Sequence, residues 1–203
     1  MTLQITTIPV GLIGENCYIL TNTESKEAYL LDPGADTDNI LTYIKQLGAK
    51  PRAIILTHGH VDHLGAVPDM VAKFSIPVWV HPKDCALYSS PKNCFMPWLP
   101  LVKNLPTPVD LFPKIEGITP RILHTPGHTP GGVCFYYPKE KIIFTGDTLF
   151  RNTYGRTDFE GGSFEQIKDS ISNVLFSLDG DIKVYPGHHD PTTIKQEMDH
   201  NLF

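Results

Sequence analysis

Residues 57–65 read Thr57-His58-Gly59-His60-Val61-Asp62-His63-Leu64-Gly65, which places three histidines and one aspartate within six positions. Imidazole and carboxylate groups are ligands that zinc, iron and manganese accept in proteins. Residues 53–56, Ala-Ile-Ile-Leu, precede the cluster and predict a buried strand, and residues 65–74 after it predict a helix. The cluster therefore falls at the carboxyl end of a strand, where open α/β sheets place their functional sites. We interpret it as a metal-binding motif, the alternative being a solvated loop that is rich in histidine by chance.

The composition is that of a globular chain. Of 203 residues, 41% are hydrophobic and 19% are charged, which supplies enough apolar material for a core. We expect a single domain over residues 1–203. No apolar run approaches the roughly 18 residues that a membrane-spanning helix needs, and the first residues lack a signal-peptide pattern. A formal net charge of −5 without a basic stripe disfavours nucleic-acid binding. We therefore expect a cytoplasmic protein with no nucleic-acid partner and no membrane partner.

The four cysteines fit that compartment. Cys17, Cys85, Cys94 and Cys134 are scattered along the chain and show no metal-binding spacing. We expect them to be reduced packing residues. A disulfide between Cys85 and Cys94 is the alternative.

Alternating apolar and helical patterns predict the secondary structure. Strands are expected over residues 4–9, 16–21, 27–31, 53–56, 77–81, 118–123, 133–137, 141–144 and 181–185. Helices are expected over residues 37–47, 65–74 and 163–178, with Gly48 ending the first and Ser163 capping the last. Asp32-Pro33-Gly34 predicts a turn. Residues 82–117 are rich in proline and aromatic residues, and we expect either a partial lid or substrate wall, or a loosely packed excursion.

Three later segments each place a further candidate ligand beside glycine at the end of a predicted strand. They are Pro126-Gly127-His128, Gly146-Asp147-Thr148 and Pro186-Gly187-His188. Glycine permits the tight turn and close backbone approach that a metal site needs. Each segment alone is a weak signal, but their order and their positions at strand ends make the set specific. Strands and helices also alternate in two successive blocks, which predicts two packed sheets with helices outside them.

With these segments the chain resembles the metallo-β-lactamase superfamily, whose pattern is His-x-His-x-Asp-His followed by a histidine, an aspartate and a final histidine. The resemblance spans essentially the whole sequence and implies an α/β fold, the αββα four-layer sandwich. It also implies two divalent metals, zinc first, with iron or manganese as alternatives. The ligand sets that it implies are His58, His60 and His128 for one metal, Asp62, His63 and His188 for the other, and Asp147 as the bridge.

Within the superfamily the chain is most similar to the glyoxalase II group, particularly its short bacterial form. The similarity lies in residues 146–150, 155–159, 161–162 and 191–194. It implies a metal-dependent hydrolase that cleaves thioesters by attack of a metal-bridging hydroxide held at Asp62 and Asp147. It also implies substrate binding by Arg156, the alternative being a surface or fold-stabilising arginine. The best-known β-lactamases have cysteine in place of Asp147 and no ligand at the position of His63, so penicillin-type hydrolysis is disfavoured.

Two departures from the long form of glyoxalase II bear on the substrate. The sequence ends before the helical domain that supplies glutathione contacts there, and Asp190 stands where the long form has a substrate-contacting tyrosine. Binding would then depend on Arg156, the metal centre and the stretch around Phe95 and Trp98, so we expect weak and broad recognition of the thiol carrier. Two divalent ions outweigh two aspartates and a hydroxide, and this positive centre suits a small, anionic thioester.

Two alternatives stay open. A persulfide dioxygenase resembles the same group and uses a single iron, which His58, His128 and Asp147 would hold here. The second alternative is a structural or docking protein that binds metal without catalysis. The presence of every expected ligand disfavours this alternative.

Overall fold

The computed structural model describes residues 3–94, 98–200 and 203. Contacts within the chain divide it into two compact units, residues 1–119 and 120–203, and each has its own mixed sheet and its own apolar core. Both units combine strands with helices, as the sequence predicts; the single domain stays a prediction. Within the described ranges no helix has both the length and the apolar character to cross a bilayer.

The first unit is built on a five-stranded sheet with the order β1-β2-β3-β4-β5. Its strands are β1 Leu3–Val10, β2 Glu15–Asn22, β3 Glu27–Leu31, β4 Lys50–Ile55 and β5 Val78–Trp79. The first three strands are antiparallel, whereas β3, β4 and β5 run parallel. Its helices are α1 Thr37–Leu47, α2 Val67–Phe74 and α3 Cys85–Tyr88, with 3-10 turns at Val61–His63, Pro82–Asp84 and Pro91–Asn93.

Helix α1 matches its predicted bounds because its local signals agree with its packing. Ile40 and Ile44, one turn apart, are buried in the core. Gly48 ends the helix with a left-handed φ of 59°, the conformation that glycine adopts without a steric penalty. The strands predicted over residues 27–31 and 133–137 also have their observed bounds.

Buried side chains attach the irregular stretch of residues 82–117 to the first unit. The Tyr29 hydroxyl, in β3, donates to the carbonyl of Pro113 at 2.7 Å. Inside the stretch, the Tyr88 hydroxyl donates to the carbonyl of Pro106 at 2.8 Å. The Asn22 side chain donates to the carbonyl of Glu116 at 3.0 Å. These bonds supply partners for carbonyls that no sheet or helix engages. Phe95 lies outside the described residues.

The second unit has a five-stranded sheet with the order β12-β11-β8-β7-β6 and a separate hairpin of β9 and β10. The strands are β6 Arg121–His124, β7 Val133–Tyr137, β8 Ile142–Gly146, β9 Leu149–Phe150, β10 Thr153–Tyr154, β11 Lys183–Pro186 and β12 Thr192–Thr193. Strands β8 and β11 are parallel, and the other pairs are antiparallel. The helices are α4 Phe164–Asp169 and α5 Ile194–His200.

The helix predicted over residues 163–178 is confirmed only in its first part. Ser163 caps α4 as expected, because its hydroxyl accepts from the backbone N–H of Gln166 at 3.3 Å. After Asp169 the chain continues as a π-helix over Ser170–Leu175. Ile167, Ile171 and Leu175 are fully buried and spaced by four residues, a spacing that both helix types place along one face. Apolar periodicity therefore locates the buried face but does not separate the two types.

Two predicted strands are shorter than their apolar runs. The run over residues 77–81 pairs only at Val78–Trp79, because His81 turns the chain and its Nδ1 accepts from the backbone of Lys83 at 3.3 Å. The run over residues 118–123 begins pairing at Arg121, since Ile118 closes a turn by donating to the carbonyl of Ile115 at 3.2 Å. In both cases a turn hydrogen bond replaces ladder hydrogen bonds.

Candidate metal centre

The histidine-rich motif begins just after β4, at the carboxyl end that the sequence predicts. His58, His60, Asp62 and His63 are all buried. The His58 ring centroid lies 4.9 Å from that of His60 and 4.2 Å from that of His63. His63 Nε2 lies 3.5 Å from Asp62 Oδ2. The first unit thus brings its four predicted ligands together.

The buried carboxylate of Asp32 orients His63. Asp32 Oδ2 lies 3.0 Å from His63 Nδ1. Because a carboxylate only accepts hydrogen bonds, His63 carries its proton on Nδ1 and keeps the lone pair of Nε2 for a metal.

The same carboxylate orients His58 through Thr57. The Thr57 hydroxyl donates to Asp32 Oδ2 at 2.6 Å, and the Thr57 backbone N–H donates to Oδ1 at 2.8 Å. That hydroxyl has used its only hydrogen, so at 3.0 Å it accepts from His58 Nδ1. His58 therefore also presents Nε2 as its lone-pair nitrogen.

Two backbone features complete this arrangement. Asp84 Oδ2 accepts from the backbone N–H of Gly59 at 2.9 Å, in the middle of the motif. A Cβ at Gly34 would lie 1.8 Å from the carbonyl oxygen of Asp62, so the turn after Asp32 packs this closely only with glycine. The sequence predicts a turn at residues 32–34 but not the supporting role of these residues. The available signal was that Asp32 follows β3, the parallel neighbour of β4, so both strand ends meet at one edge.

A second buried acid adds negative charge beside His63. Glu15 Oε1 lies 3.5 Å from His63 Nδ1, and Glu15 is 1% exposed. Burial, and then the charges of Glu15 and Asp32, raise the pKa of the neighbouring Cys17 thiol well above its usual value. The same charges favour a cation near His63.

The three candidate ligands of the second unit follow three different strands. His128, Asp147 and His188 come after β6, β8 and β11. Asp147 Oδ2 lies 3.5 Å from His128 Nε2 and 3.7 Å from His188 Nε2. His128 Nδ1 donates at 2.7 Å to the backbone carbonyl of Arg156, which can only accept, so Nε2 keeps its lone pair. The second unit thus brings its three predicted ligands together.

The loop that supports His128 is itself held from two sides. A Cβ at Gly155 would lie 1.8 Å from the carbonyl oxygen of Asp147, so glycine is required where the loop crosses that residue. Before it, the β9–β10 hairpin is attached to α5, because Glu197 Oε2 accepts from the backbone N–H of Asn152 at 2.7 Å. Glu197 is fully buried and also accepts from the Thr192 hydroxyl. No sequence pattern that we used indicated Glu197.

The Arg156 side chain is half exposed and paired with a neighbour. Its Nε and Nη2 donate to the two carboxylate oxygens of Asp158 at 2.9 and 2.7 Å, and the guanidinium lies 4.3 Å from the ring centroid of Phe159. This fork lowers the pKa of the Asp158 carboxyl group. Substrate binding by the side chain stays a prediction, whereas the backbone carbonyl already has a role in holding His128.

The donor chemistry fits divalent metals. The set comprises five histidines and two aspartates, and hydrogen bonding leaves Nε2 as the lone-pair nitrogen in His58, His63 and His128. Neutral imidazole and carboxylate suit zinc, iron and manganese. Seven such residues also exceed the four ligands that one tetrahedral zinc uses.

The fold and these candidate ligands place the protein in the class of α/β proteins with a candidate metal centre, and comparison with known proteins identifies its family. A model of the Metallo-beta-lactamase superfamily matches residues 10–188. The hydroxyacylglutathione hydrolase GloC of Haemophilus influenzae is 36% identical over 209 residues, covering 99% of this chain and 98% of that protein. The chain belongs to the metallo-β-lactamase superfamily, whose enzymes are mostly hydrolases.

Solved structures agree with this assignment. The crystal structure of the BLEG-1 B3 metallo-beta-lactamase matches with a TM-score of 0.90 and 39% identity, covering 98% of each chain. That of TTHA1623 in a di-iron-bound form matches with a TM-score of 0.80 and 33% identity, covering 97% of this chain and 98% of that one. The predicted fold class is thereby confirmed.

Proposed function

We propose that this protein is a metal-dependent hydrolase that cleaves thioesters, as the resemblance to glyoxalase II implies. The observation that carries the proposal is the full set of seven ligand residues, with three of the histidines oriented through Nδ1. Similarity to a protein named as a hydroxyacylglutathione hydrolase supports the choice of bond.

In this proposal His58, His60 and His128 would hold one metal, Asp62, His63 and His188 would hold the other, and Asp147 would be shared. Two sets of short distances support the proposal, that between Asp62 and His63 in the first unit and those from Asp147 to His128 and His188 in the second. When bound, two divalent ions supply a nucleophile from water at neutral pH and Lewis acidity toward a carbonyl oxygen.

The chain's own residues fix the ligands and balance their charge. Asp32 holds the imidazoles of His63 and, through Thr57, of His58 in one orientation, which lowers the reorganisation needed when a metal binds. Asp147 contributes one charge and two oxygens, which suits a ligand shared by two ions. Asp62 and Asp147 together carry less charge than two divalent ions, so the loaded centre attracts anionic substrate groups.

Two other reactions have to be measured beside thioester cleavage. Persulfide oxidation needs only His58, His128 and Asp147 around one iron. The sequence motifs disfavour hydrolysis of β-lactams, but the similarity to BLEG-1 makes it a reaction to measure.

Metal analysis and three parallel assays test the proposal. We expect two metals per chain, zinc or a mixture of zinc and iron, and cleavage of S-lactoylglutathione followed by thiol release. Oxygen uptake with glutathione persulfide and hydrolysis of a penicillin and a carbapenem are measured on the same preparation. One iron per chain with oxygen uptake would assign a dioxygenase. Preferred β-lactam hydrolysis would assign a lactamase, and a fully metallated protein without thioester cleavage would refute the proposal.

A further inference from the structure

A cavity of about 680 Å³ lies within the first unit. The turn between β1 and β2, the start of α1, and residues 99–104 of the irregular stretch all contribute to its walls. Asp62, a candidate metal ligand, also lines it. The cavity therefore lies directly beside part of the candidate metal centre, and its volume is within the range of small-molecule sites.

Three large apolar side chains of the wall are exposed to solvent. Leu12 at the β1–β2 turn is 79% exposed, Ile13 beside it is 38% exposed, and Leu101 is 53% exposed. Exposed apolar residues are ordinary when scattered singly, but a group that lines one concavity marks a surface that a ligand covers.

Hydrogen bonds hold the opposite walls in place. The backbone N–H of Gly11, in the β1–β2 turn, donates to Asp36 Oδ2 at 2.9 Å. The Thr37 hydroxyl, at the start of α1, donates to Asp69 Oδ2 at 2.7 Å. The cavity is thus formed by the chain's own contacts, which lowers the cost of ordering it around a ligand.

The charges around the cavity exclude one class of occupant. Its charged lining residues are Glu15, Asp36, Asp62, Asp69 and Lys103. Metals would offset the charges of Asp62 and Glu15, but away from the metal centre Asp36 and Asp69 outnumber Lys103, which disfavours a carboxylate or phosphate in that part of the cavity. A neutral apolar group avoids that repulsion and covers Leu12, Ile13 and Leu101.

We infer that this cavity binds the acyl chain of the substrate, so that the preferred substrates are thioesters of neutral, apolar acyl groups. The inference rests on the proposed thioester hydrolysis and names the part of the substrate that the first unit recognises. An acyl group whose carbonyl lies near Asp62 has its chain beside the cavity, whereas an anionic thiol carrier has no cationic partner there except Lys103.

The experiment uses straight-chain thioesters of the neutral thiol N-acetylcysteamine, from acetyl to octanoyl, with the metal-loaded protein. Each methylene that leaves water is expected to raise kcat/KM about fourfold, because burial of a CH₂ contributes about 0.8 kcal/mol. Leu12→Ser and Leu101→Ser should flatten this dependence, and both positions are exposed enough that folding is preserved. Leu111→Ser is the matched control, since Leu111 is 84% exposed and does not line the cavity.

Binding of octanamide and acetamide, measured by calorimetry, gives a readout that does not depend on turnover. Octanamide should bind wild type and Leu111→Ser equally and Leu12→Ser about tenfold more weakly, and acetamide should not bind measurably. If thioesters are cleaved with the same kcat/KM at every chain length, the hydrolase proposal stands and the acyl cavity is refuted. If no thioester is cleaved but octanamide binds in a Leu12-dependent way, the cavity stands and the hydrolase proposal is refuted.

Discussion

In residues 1–119 the four candidate ligands come from one six-residue stretch, and a buried carboxylate orients two of them. In residues 120–203 the three candidate ligands follow three strands, and a backbone carbonyl orients one of them. Asp32 acts on His63 and His58 through its side chain. Arg156 acts on His128 through its main chain. The second set is also less buried, with side-chain exposures of 11% for Asp147 and 14% for His188.

This difference determines which substitutions test each set. A side-chain support is removed by an isosteric change such as aspartate to asparagine, which leaves the backbone in place. A backbone carbonyl that supports a ligand is displaced only by a substitution that moves its loop. Where a glycine packs closely against another residue, the methyl group of an alanine is enough to move the loop. The two sets of ligands therefore need different kinds of substitution to test their supports. The expected consequence is the same for both, a loss of metal affinity.

The largest effect is expected for Asp147→Asn. The change removes a charge and one ligand oxygen between His128 and His188, so we expect loss of at least one metal and a fall in kcat of about 100-fold or more. Burial in the core of the unit should keep the fold, which circular dichroism checks. Asp181→Asn, at an exposed ion pair with Lys141, is the control and should be neutral. Full activity with two metals in Asp147→Asn would exclude Asp147 as a shared ligand.

The next effect is expected for Asp32→Asn. Asparagine places an NH₂ donor where Asp32 has one of its two oxygens. Either the Thr57 backbone N–H loses its acceptor at Oδ1, or the Thr57 hydroxyl and His63 Nδ1 lose theirs at Oδ2. Metal affinity, measured by competition with a chelator, should fall by about 10–100-fold. Asp38→Asn, in the exposed first turn of α1, should leave it unchanged. Equal affinities for the two variants would show that Asp32 does not orient the histidines.

Gly155→Ala is the matching test in the second unit. The added methyl group meets the carbonyl oxygen of Asp147 and moves the loop that carries the Arg156 carbonyl. We expect about a tenfold loss of metal affinity at one site, again by chelator competition. Gly180→Ala serves as control, because its nearest contact is Lys195 Cβ at 3.1 Å and lies away from the ligands. A Gly155→Ala variant with wild-type affinity would indicate that the loop does not fix His128.

The smallest effect is expected for Arg156→Ala. The backbone carbonyl survives this change, so metal content should not change. Loss of the guanidinium removes a binding contact, and KM for S-lactoylglutathione should rise several-fold with kcat within about twofold. Arg151→Ala, at an exposed pair with Asp190, is the control. A fall in kcat without a rise in KM would contradict a binding role.

Local sequence signals predicted much of the fold and placed the seven candidate ligand residues just after strands, whereas their role as ligands stays a prediction. Helix α1 combined apolar spacing with a terminal glycine, and the ligands followed strand ends beside glycine, so sequence and packing indicated the same elements. The supports were missed because Asp32 and Glu197 act over long sequence separations, on His63 and on Asn152. The π-helix was missed because burial of Ile167, Ile171 and Leu175 is compatible with two hydrogen-bonding patterns.

The attachment of Asn152 to Glu197 has a consequence for the order of events during synthesis. Asp32 and Thr57, which orient His63 and His58, lie in residues 1–119. The loop that orients His128 depends on a hairpin whose anchor, Glu197, emerges from the ribosome much later. Units of a nascent chain fold in the order in which they are made. We therefore expect the histidine-rich set to be oriented first, and the affinity for metal ions to rise when His128, Asp147 and His188 are in place as well.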